Sequence, residues 1–596
     1  PISPVSKSSS SGGACLSKKI IIAIICVIVI AGAIVGIVFG ARAAKDAGKV
    51  TIVIQSANTK EKWLDSVIDD FNNDKIKTDD GKGIVIEVHH TGSTLKSELK
   101  PNIWSPQNKA FIEIQSRQDG ITYVSNINQL CSDTTDVPVG VGMWKHLAVQ
   151  LGWPNTISFE AIGNLAVNPK GWESVSSSLS SFGDFKYGHG HPNSSNSGRL
   201  SVMASMMAFS NSTTSLNSVL EVDKAANDAD VKAIIQSVVH LGKIDTDLLA
   251  RMRDHGISYL HAVANYESNI INWNLDYAQQ INSHGFGGWV FIYLDDGTFW
   301  MNNPLCVIDY DGYSTPEQVE AAKKFTEYAT SQDKLKKLLQ YGIRPTALAK
   351  IEDITCCGST ITQENGADPS KSLENMDLLL YPDDNIVEYV LSTWNDIKKP
   401  AAFAVVIDTS GSMRSTDGYP FSRLYYAKQA LVTFVESTND RDYIDLRGFG
   451  SVKFNTPGLK GNISDDAVNW INGLTANGGT PLYGTMKSAW DTLNTLKANN
   501  DAKGIDWNYA IIAMTDGEPG DAATYNDFYN SPYSYPTSVE ASNSPDIIHI
   551  FPIIFGGDAT GQENNFKTLA SVSGGKFFSA DNDDVSDIYF QLSLEI

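Results

Sequence analysis

Three short stretches put oxygen-bearing side chains where they can act together. In 399–413, "KPAAFAVVIDTSGSM", seven apolar residues end abruptly in Asp408, followed by Ser410 and Ser412. Alternate residues of an extended chain face one way, so all three side chains can be aimed at one point. "GGTPLYG" offers Thr480 after a Gly-Gly turn, and "YAIIAMTDGEPGD" is a second apolar run ending in Thr515-Asp516-Gly517. The donors are carboxylates and hydroxyls, with no thiolate or imidazole. Such a set selects a hard divalent cation: Mg²⁺, or alternatively Mn²⁺ or Ca²⁺. Mg²⁺ needs near-octahedral oxygens at about 2.0–2.1 Å, and two carboxylates, three hydroxyls and water supply them.

The elements that must hold these residues are strands buried on both faces. "AFAVVID" is continuously apolar, as in a parallel sheet covered by helices. Ligands on such sheets collect at the carboxyl ends of the strands, where Asp408 stands. The same alternation of strand and helix begins at Val50. "KVTIVIQS" and "GIVIEVHH" read as strands, and "KEKWLDSVIDDFN" places Trp63, Leu64, Val67, Ile68 and Phe71 on one helical face. Ser314-Thr315-Pro316 reads as the cap and first turn of another helix. Two α/β series with mainly parallel sheets are therefore expected.

Composition narrows the class. The chain has 596 residues, too many for one core. Its net charge of -22 argues against nucleic acid, which requires a basic surface. Six cysteines are too few for a disulfide framework, and Cys356-Cys357 reads as a bridge or as two free thiols. Ile20–Gly40 is 21 residues without a charge. At about 1.5 Å per residue it spans the roughly 30 Å hydrocarbon layer, so one retained membrane helix is expected. The flanking lysines and arginines do not settle its orientation.

"DTSGSM", "GGTPLYG" and "MTDGEPGD" together resemble the von Willebrand factor A domain and its metal-ion-dependent adhesion site, over about 399–596. The resemblance implies a Rossmann-like fold in which Asp408, Ser410, Ser412, Thr480 and Asp516 hold the metal. It also implies an open metal position that takes a carboxylate from a protein partner. "PNIWSP" (101–106), "LAVNPKGW" (165–172), "FKYGHGHPNSSNSG" (185–198), "AVANYESNIINWN" (262–274), "YLDDGTFWMNNP" (293–304) and "LLQYGIRP" (338–345) resemble an extracellular solute-binding protein of the type paired with ABC importers. That implies two α/β lobes around a cleft, a type II periplasmic-binding-protein-like domain. A small solute and an ABC permease are the partners it implies.

The expected organisation is a disordered segment 1–19, a transmembrane helix 20–41, a bilobal domain 50–350, a linker and junction helix 351–398, and an A domain 399–596. In the cleft, Ser93 and Thr94 beside Gly92, and Asn196 and Ser197 before Gly198, read as oxyanion cradles at helix starts or as ordinary N-caps. Glu267 would repel an anion if it faced the cleft, leaving cationic or neutral solutes. Trp104, Tyr266 and Trp300 read as stacking platforms or as core. Ser93, Ser197 and Tyr266 are expected at the gap between lobes. His89-His90 and His189-x-His191 read as solvated loop histidines in preference to metal pairs. No nucleophile with a base is evident, so the sequence reads as a membrane-anchored surface binding protein with both modules extracytoplasmic, not as an enzyme. The alternative is a transport receptor whose A domain only docks it.

Overall fold

The computed structural model describes residues 48–596 except 211–213, 450–451, 518, 521–523, 531–546, 557–559, 582–584 and 595–596. The expected membrane segment lies outside the described residues, among which no helix is long and apolar enough to cross a membrane.

Among the described residues, seventeen strands form three sheets. The first contains β1 (Lys49–Ser56), β2 (Gly83–His90), β3 (Ile103–Ser105) and β4 (Cys131–Ser132). The second contains β5 (Val137–Trp144), β6 (Tyr187–Gly190), β7 (Val238–Gly242), β8 (Ala262–Tyr266), β9 (Trp289–Ile292) and β10 (Phe299–Met301). The chain then returns to the first sheet as β11 (Leu305–Val307), giving the order β2-β1-β3-β11-β4. These are two lobes. Helix Glu61–Asp74 buries Trp63, Leu64, Val67, Ile68 and Phe71, the face its spacing predicts. Helix Pro316–Ala329 opens on a capping box from Thr315 with proline in the first turn.

The second lobe departs from the expected parallel sheet. β5 pairs antiparallel with β8, β9 and β10, while β6 runs parallel to β7 and β8. The reason is topological. β5 enters directly from the first lobe and β10 leaves directly toward it, so neither needs the helical crossover that makes neighbours parallel.

Within the described residues the chain crosses between the lobes three times, and the crossings lie side by side: Asp136 N–H donates to Arg344 O at 2.9 Å and Thr346 N–H to Thr134 O at 3.1 Å. The Thr134 and Thr135 N–H groups donate to Asn302 O at 3.1 and 3.2 Å, and Thr134 Oγ1 donates to Asn303 O at 2.6 Å. At the first-lobe end of the first two, Cys131 and Cys306 pair in register and are joined by a disulfide. Cys356 and Cys357 are also bridged. Sequence reasoning missed the first bridge because its partners are 175 residues apart.

Much of the stretch expected to link the halves packs on the second lobe. Phe291 N–H donates to Gly366 O at 2.7 Å, and helix Asp384–Ile397 buries Ile386, Val387, Val390 and Trp394 in the bilobal core. Trp394 packs against His191 and His189, at ring-centroid distances of 5.0 and 6.4 Å. Those histidines are 4% and 2% exposed, so the solvated reading is corrected: they are core residues.

The third sheet has the order β14-β13-β12-β15-β16-β17, from β12 (Ala401–Ile407), β13 (Tyr443–Gly448), β14 (Gly458–Leu459), β15 (Asn508–Thr515), β16 (Ile548–Phe555) and β17 (Phe578–Ala580). Only the edge strand β14 is antiparallel. Phe403, Val405 and Ile407 of β12 join one core cluster and Ala402, Ala404 and Val406 the other, so helices cover both faces. β12 pairs with β13 on one side and β15 on the other, which opens a crevice at their carboxyl ends.

Burial also sets a pH dependence. Desolvation lowers His189 and His549 to about 4, and takes His191, His240 and His261 well below 6.5. These rings stay neutral in the fold, while the unfolded chain takes up protons as pH falls below about 6.5. Their contribution is complete above that pH and is lost between about 6.5 and 4. Asp136, Asp296 and Asp408, raised to about 6 by burial, act the other way but are outnumbered. The denaturation midpoint should therefore fall from pH 7 to pH 5; an unchanged or higher midpoint at pH 5 contradicts this.

Candidate metal centre and ligand cleft

β12 carries the chain out of the core and leaves Asp408 fully buried at its end. Ser410 follows in extended conformation, at φ -69° and ψ 172°, before a single turn over Gly411–Arg414. Asp408 Oδ1 accepts from Ser410 N–H at 2.7 Å, and Oδ2 accepts from Thr515 Oγ1 at 2.8 Å and Asp516 N–H at 3.2 Å. All three donors are neutral. The parallel register sets Ile407 opposite Met514, so Asp408 and Asp516 end neighbouring strands. Ser410 Oγ lies 2.8 Å from Ser412 Oγ, which donates to Asp516 Oδ1 at 2.6 Å.

The loop bearing Thr480 is stitched to the same corner. Asn477 N–H donates to Thr409 O at 2.7 Å, and Gly411 N–H to Gly478 O at 3.1 Å. Gly478 has φ +98°, a left-handed conformation suited to glycine. A Cβ built on Gly517 would lie 3.9 Å from both Ser412 Oγ and Thr480 Oγ1. The structure thus brings Asp408, Ser410, Ser412, Thr480 and Asp516 together.

Burial raises Asp408 to about 6, and the nearby Asp516 pushes the same way. A cation beside them would relieve both effects. An all-oxygen set with two carboxylates fits a hard divalent ion. Arg423, which the sequence did not single out, holds the outer oxygen of Asp516: its Nη1 donates to Oδ2 at 2.9 Å. The same guanidinium is paired with Asp417. Gly556 makes room for it, since a Cβ there would lie 2.9 Å from Arg423 Cζ. A lone arginine at a helix start carries no local signal of a partner 93 residues away.

Between the lobes lies a cavity of about 550 Å³, lined in part by Ser93, Thr94, Gln107, Asn196, Arg199 and Asp245. Gln107 of the first lobe spans it: Tyr266 Oη donates to its Oε1 at 2.9 Å, and its Nε2 donates to Asp245 Oδ2 at 3.2 Å. Ser93 Oγ accepts from Gln107 N–H at 3.0 Å. Ser93 and Thr94 precede only the short turn Ser97–Leu99, so no long helix starts there. Ser195 to Gly198 does open a helix, Asn196–Ser210, with Gly198 N–H donating to Ser195 Oγ at 3.3 Å. Ser195 and Ser197 hydroxyls both donate to Asp245 Oδ1.

Two cleft expectations are corrected. Glu267 is 1% exposed and does not line the cavity; it is paired with Arg344 at 2.7 and 2.8 Å and bonded by the Tyr293 hydroxyl. Burial needs that cation, and Arg344 lies 77 residues away in sequence. Trp104 is fully buried, its Nε1–H donating to Ser93 O at 3.1 Å, so it is core and not a platform. Trp300 is 8% exposed on β10, and Tyr266, fully buried, reaches the cleft through its hydroxyl hydrogen bonds.

Residues 403–518 match the family model described as von Willebrand factor type A domain. Among curated proteins none matches the chain. Among solved structures, a von Willebrand factor type A protein from Catenulispora acidiphila is similar at 16% identity and TM-score 0.24, over 33% of this chain and 42% of that one. This chain thus spans under half of that relative. The sulfate-binding protein SubI from Mycobacterium tuberculosis H37Rv is similar at 15% identity and TM-score 0.34, over 51% of this chain and 89% of that one. The substrate binding protein of an ABC transporter from Agrobacterium tumefaciens is similar at 12% identity and TM-score 0.36, over 58% and 94%.

Two substitutions test the buried pairs. Glu267→Ala leaves Arg344 buried without its carboxylate and should cost about 3–5 kcal/mol in denaturant unfolding. Arg423→Met should destabilise the C-terminal unit by a similar amount, roughly 3 kcal/mol or more, because Asp516 is fully buried. A loss under about 1 kcal/mol in either variant, the scale of an exposed pair, would contradict the assignment.

Proposed function

We propose that this chain is a membrane-anchored cell-surface binding protein that holds a protein partner through a divalent metal, most simply Mg²⁺. The supporting observation is Asp408: a carboxylate buried at a strand end, bonded to neutral donors alone, with a second carboxylate and three hydroxyls around it. Asp408, Ser410, Ser412, Thr480 and Asp516 would hold the ion. Hydroxyls and two carboxylates leave it with residual positive field, which draws an acidic side chain into the remaining position. The protein does not perform catalysis on this reading; the site binds.

The cavity between the lobes supports a second role, capture of a small solute. In the alternative reading the cleft serves an ABC permease and the metal-bearing unit only docks or assembles the receptor. Ile20–Gly40 would anchor the chain with both units outside the cytoplasm.

Two measurements test this. Protease added to intact cells should remove everything after Arg42; full protection, with the protease active on lysed cells, contradicts the topology. Beads carrying the full chain should retain surface proteins of the source cells in Mg²⁺ and release them in a chelator, while Asp408→Ala beads retain none. Equal retention by both kinds of bead contradicts metal-dependent adhesion.

A further inference from the structure

We propose that the interlobe cleft takes a small organic cation, an amine or guanidine that donates several N–H bonds. This rests on reading the cleft as a solute site and adds the charge class of the solute.

The second lobe presents the cavity with acceptors. Asn196 is 6% exposed and spends its Nδ2 on Tyr266 Oη at 3.0 Å and Met301 Sδ at 3.4 Å. Its Oδ1 is buried and has no partner. Asn272 spends its Nδ2 on Ser268 O and Tyr341 O, at 2.8 and 2.9 Å. Asn269 donates to Asn265 Oδ1 at 2.7 Å. The Asn196 carbonyl oxygen thus remains to be satisfied, while Asn269 and Asn272 spend their N–H donors on protein acceptors. A buried acceptor without a donor is costly, and a ligand N–H removes that cost.

Asp245 supplies the charge. Its carboxylate accepts from the Ser195 and Ser197 hydroxyls and from Gln107 Nε2, and no cation is among these partners. It sits at the first turn of helix Asn196–Ser210, where a bound anion would otherwise be favoured. Asp245 is bonded by the hydroxyls of that turn, and an anion beside it meets like charge. Of the cations on the wall, one meets a carboxylate and two donate to neutral acceptors. Lys62 is paired with Asp276 at 2.6 Å. Lys60 donates to Ser105 O at 3.2 Å and Asn303 Oδ1 at 3.4 Å. Arg199 donates to Pro192 O at 3.1 Å and lies over the Phe111 ring.

The test is titration calorimetry of the full chain with putrescine, agmatine, sulfate, molybdate and glucose. Putrescine or agmatine should bind at least tenfold more tightly than the oxyanions and the sugar. Asp245→Asn should weaken that binding at least tenfold. Thr246→Lys should abolish it by placing an ammonium on the cavity wall. Thr246 makes no side-chain cap bond, so this variant stays informative if Asp245→Asn misfolds. Preferential binding of sulfate, molybdate or glucose overturns the charge class while leaving a solute cleft. Amine binding unaffected by Thr246→Lys overturns the location. No binding by any probe overturns the proposal together with the solute-site reading beneath it.

Discussion

A carboxylate removed from water must be given a compensating charge or enough hydrogen bonds, and this constraint organises both halves of the molecule. Glu267 is met by Arg344, Asp445 by Arg447 and Asp516 by Arg423. Each of these pairs joins or stiffens a core. Asp408 is equally buried, yet its partners are two backbone N–H groups and a threonine hydroxyl. The fold thus leaves a negative charge at a sheet rim with its neighbours' oxygens turned toward it. Of the buried acids paired above with arginines, none is left in that state.

The contrast sets Asp408 apart from the arginine-paired acids; Asp442, buried and bonded by the Ala401 and Asn439 N–H groups, is likewise held by neutral donors but has no second carboxylate beside it in these bonds. Arg423 is instructive because it neutralises the outer oxygen of Asp516 while Ser412 donates to the inner one. Asp516 is thereby fixed in place, and Asp408 keeps the unmet charge. The cleft repeats the pattern at lower stakes. Asp245 has hydroxyls and an amide about it but no cation, and it sits where Gln107 joins the two lobes.

What could be read in advance follows from sequence distance. The helical face of Trp63, Leu64, Val67, Ile68 and Phe71 is a local pattern, as is the Thr315 cap, and both are seen. Asp408 and Asp516 lie at strand ends, which the parallel register of β12 and β15 sets side by side, and Thr480 lies in the loop before helix Leu482–Asp501. The misreadings concern long-range partners. Glu267 looks like a cleft acid until Arg344 is brought against it, and Gly-His-Gly-His looks like a solvated loop until Trp394 of a later helix covers it. The Cys131–Cys306 bridge and the Arg423–Asp516 pair likewise have no periodicity to reveal them. The antiparallel pairings of β5 in the second sheet were hidden for the same reason: strand alternation does not show which strands cross between lobes.

Titration calorimetry of Mg²⁺ into the folded full chain tests the central claim most directly, with Asp408→Ala beside it. The account predicts one saturable site in the native protein and none in the variant, whose fold should persist because the site lies at the sheet rim. No saturable binding at millimolar Mg²⁺ in a folded sample, or identical binding by the variant, would mean that Asp408 is a polar strand cap and not a metal ligand.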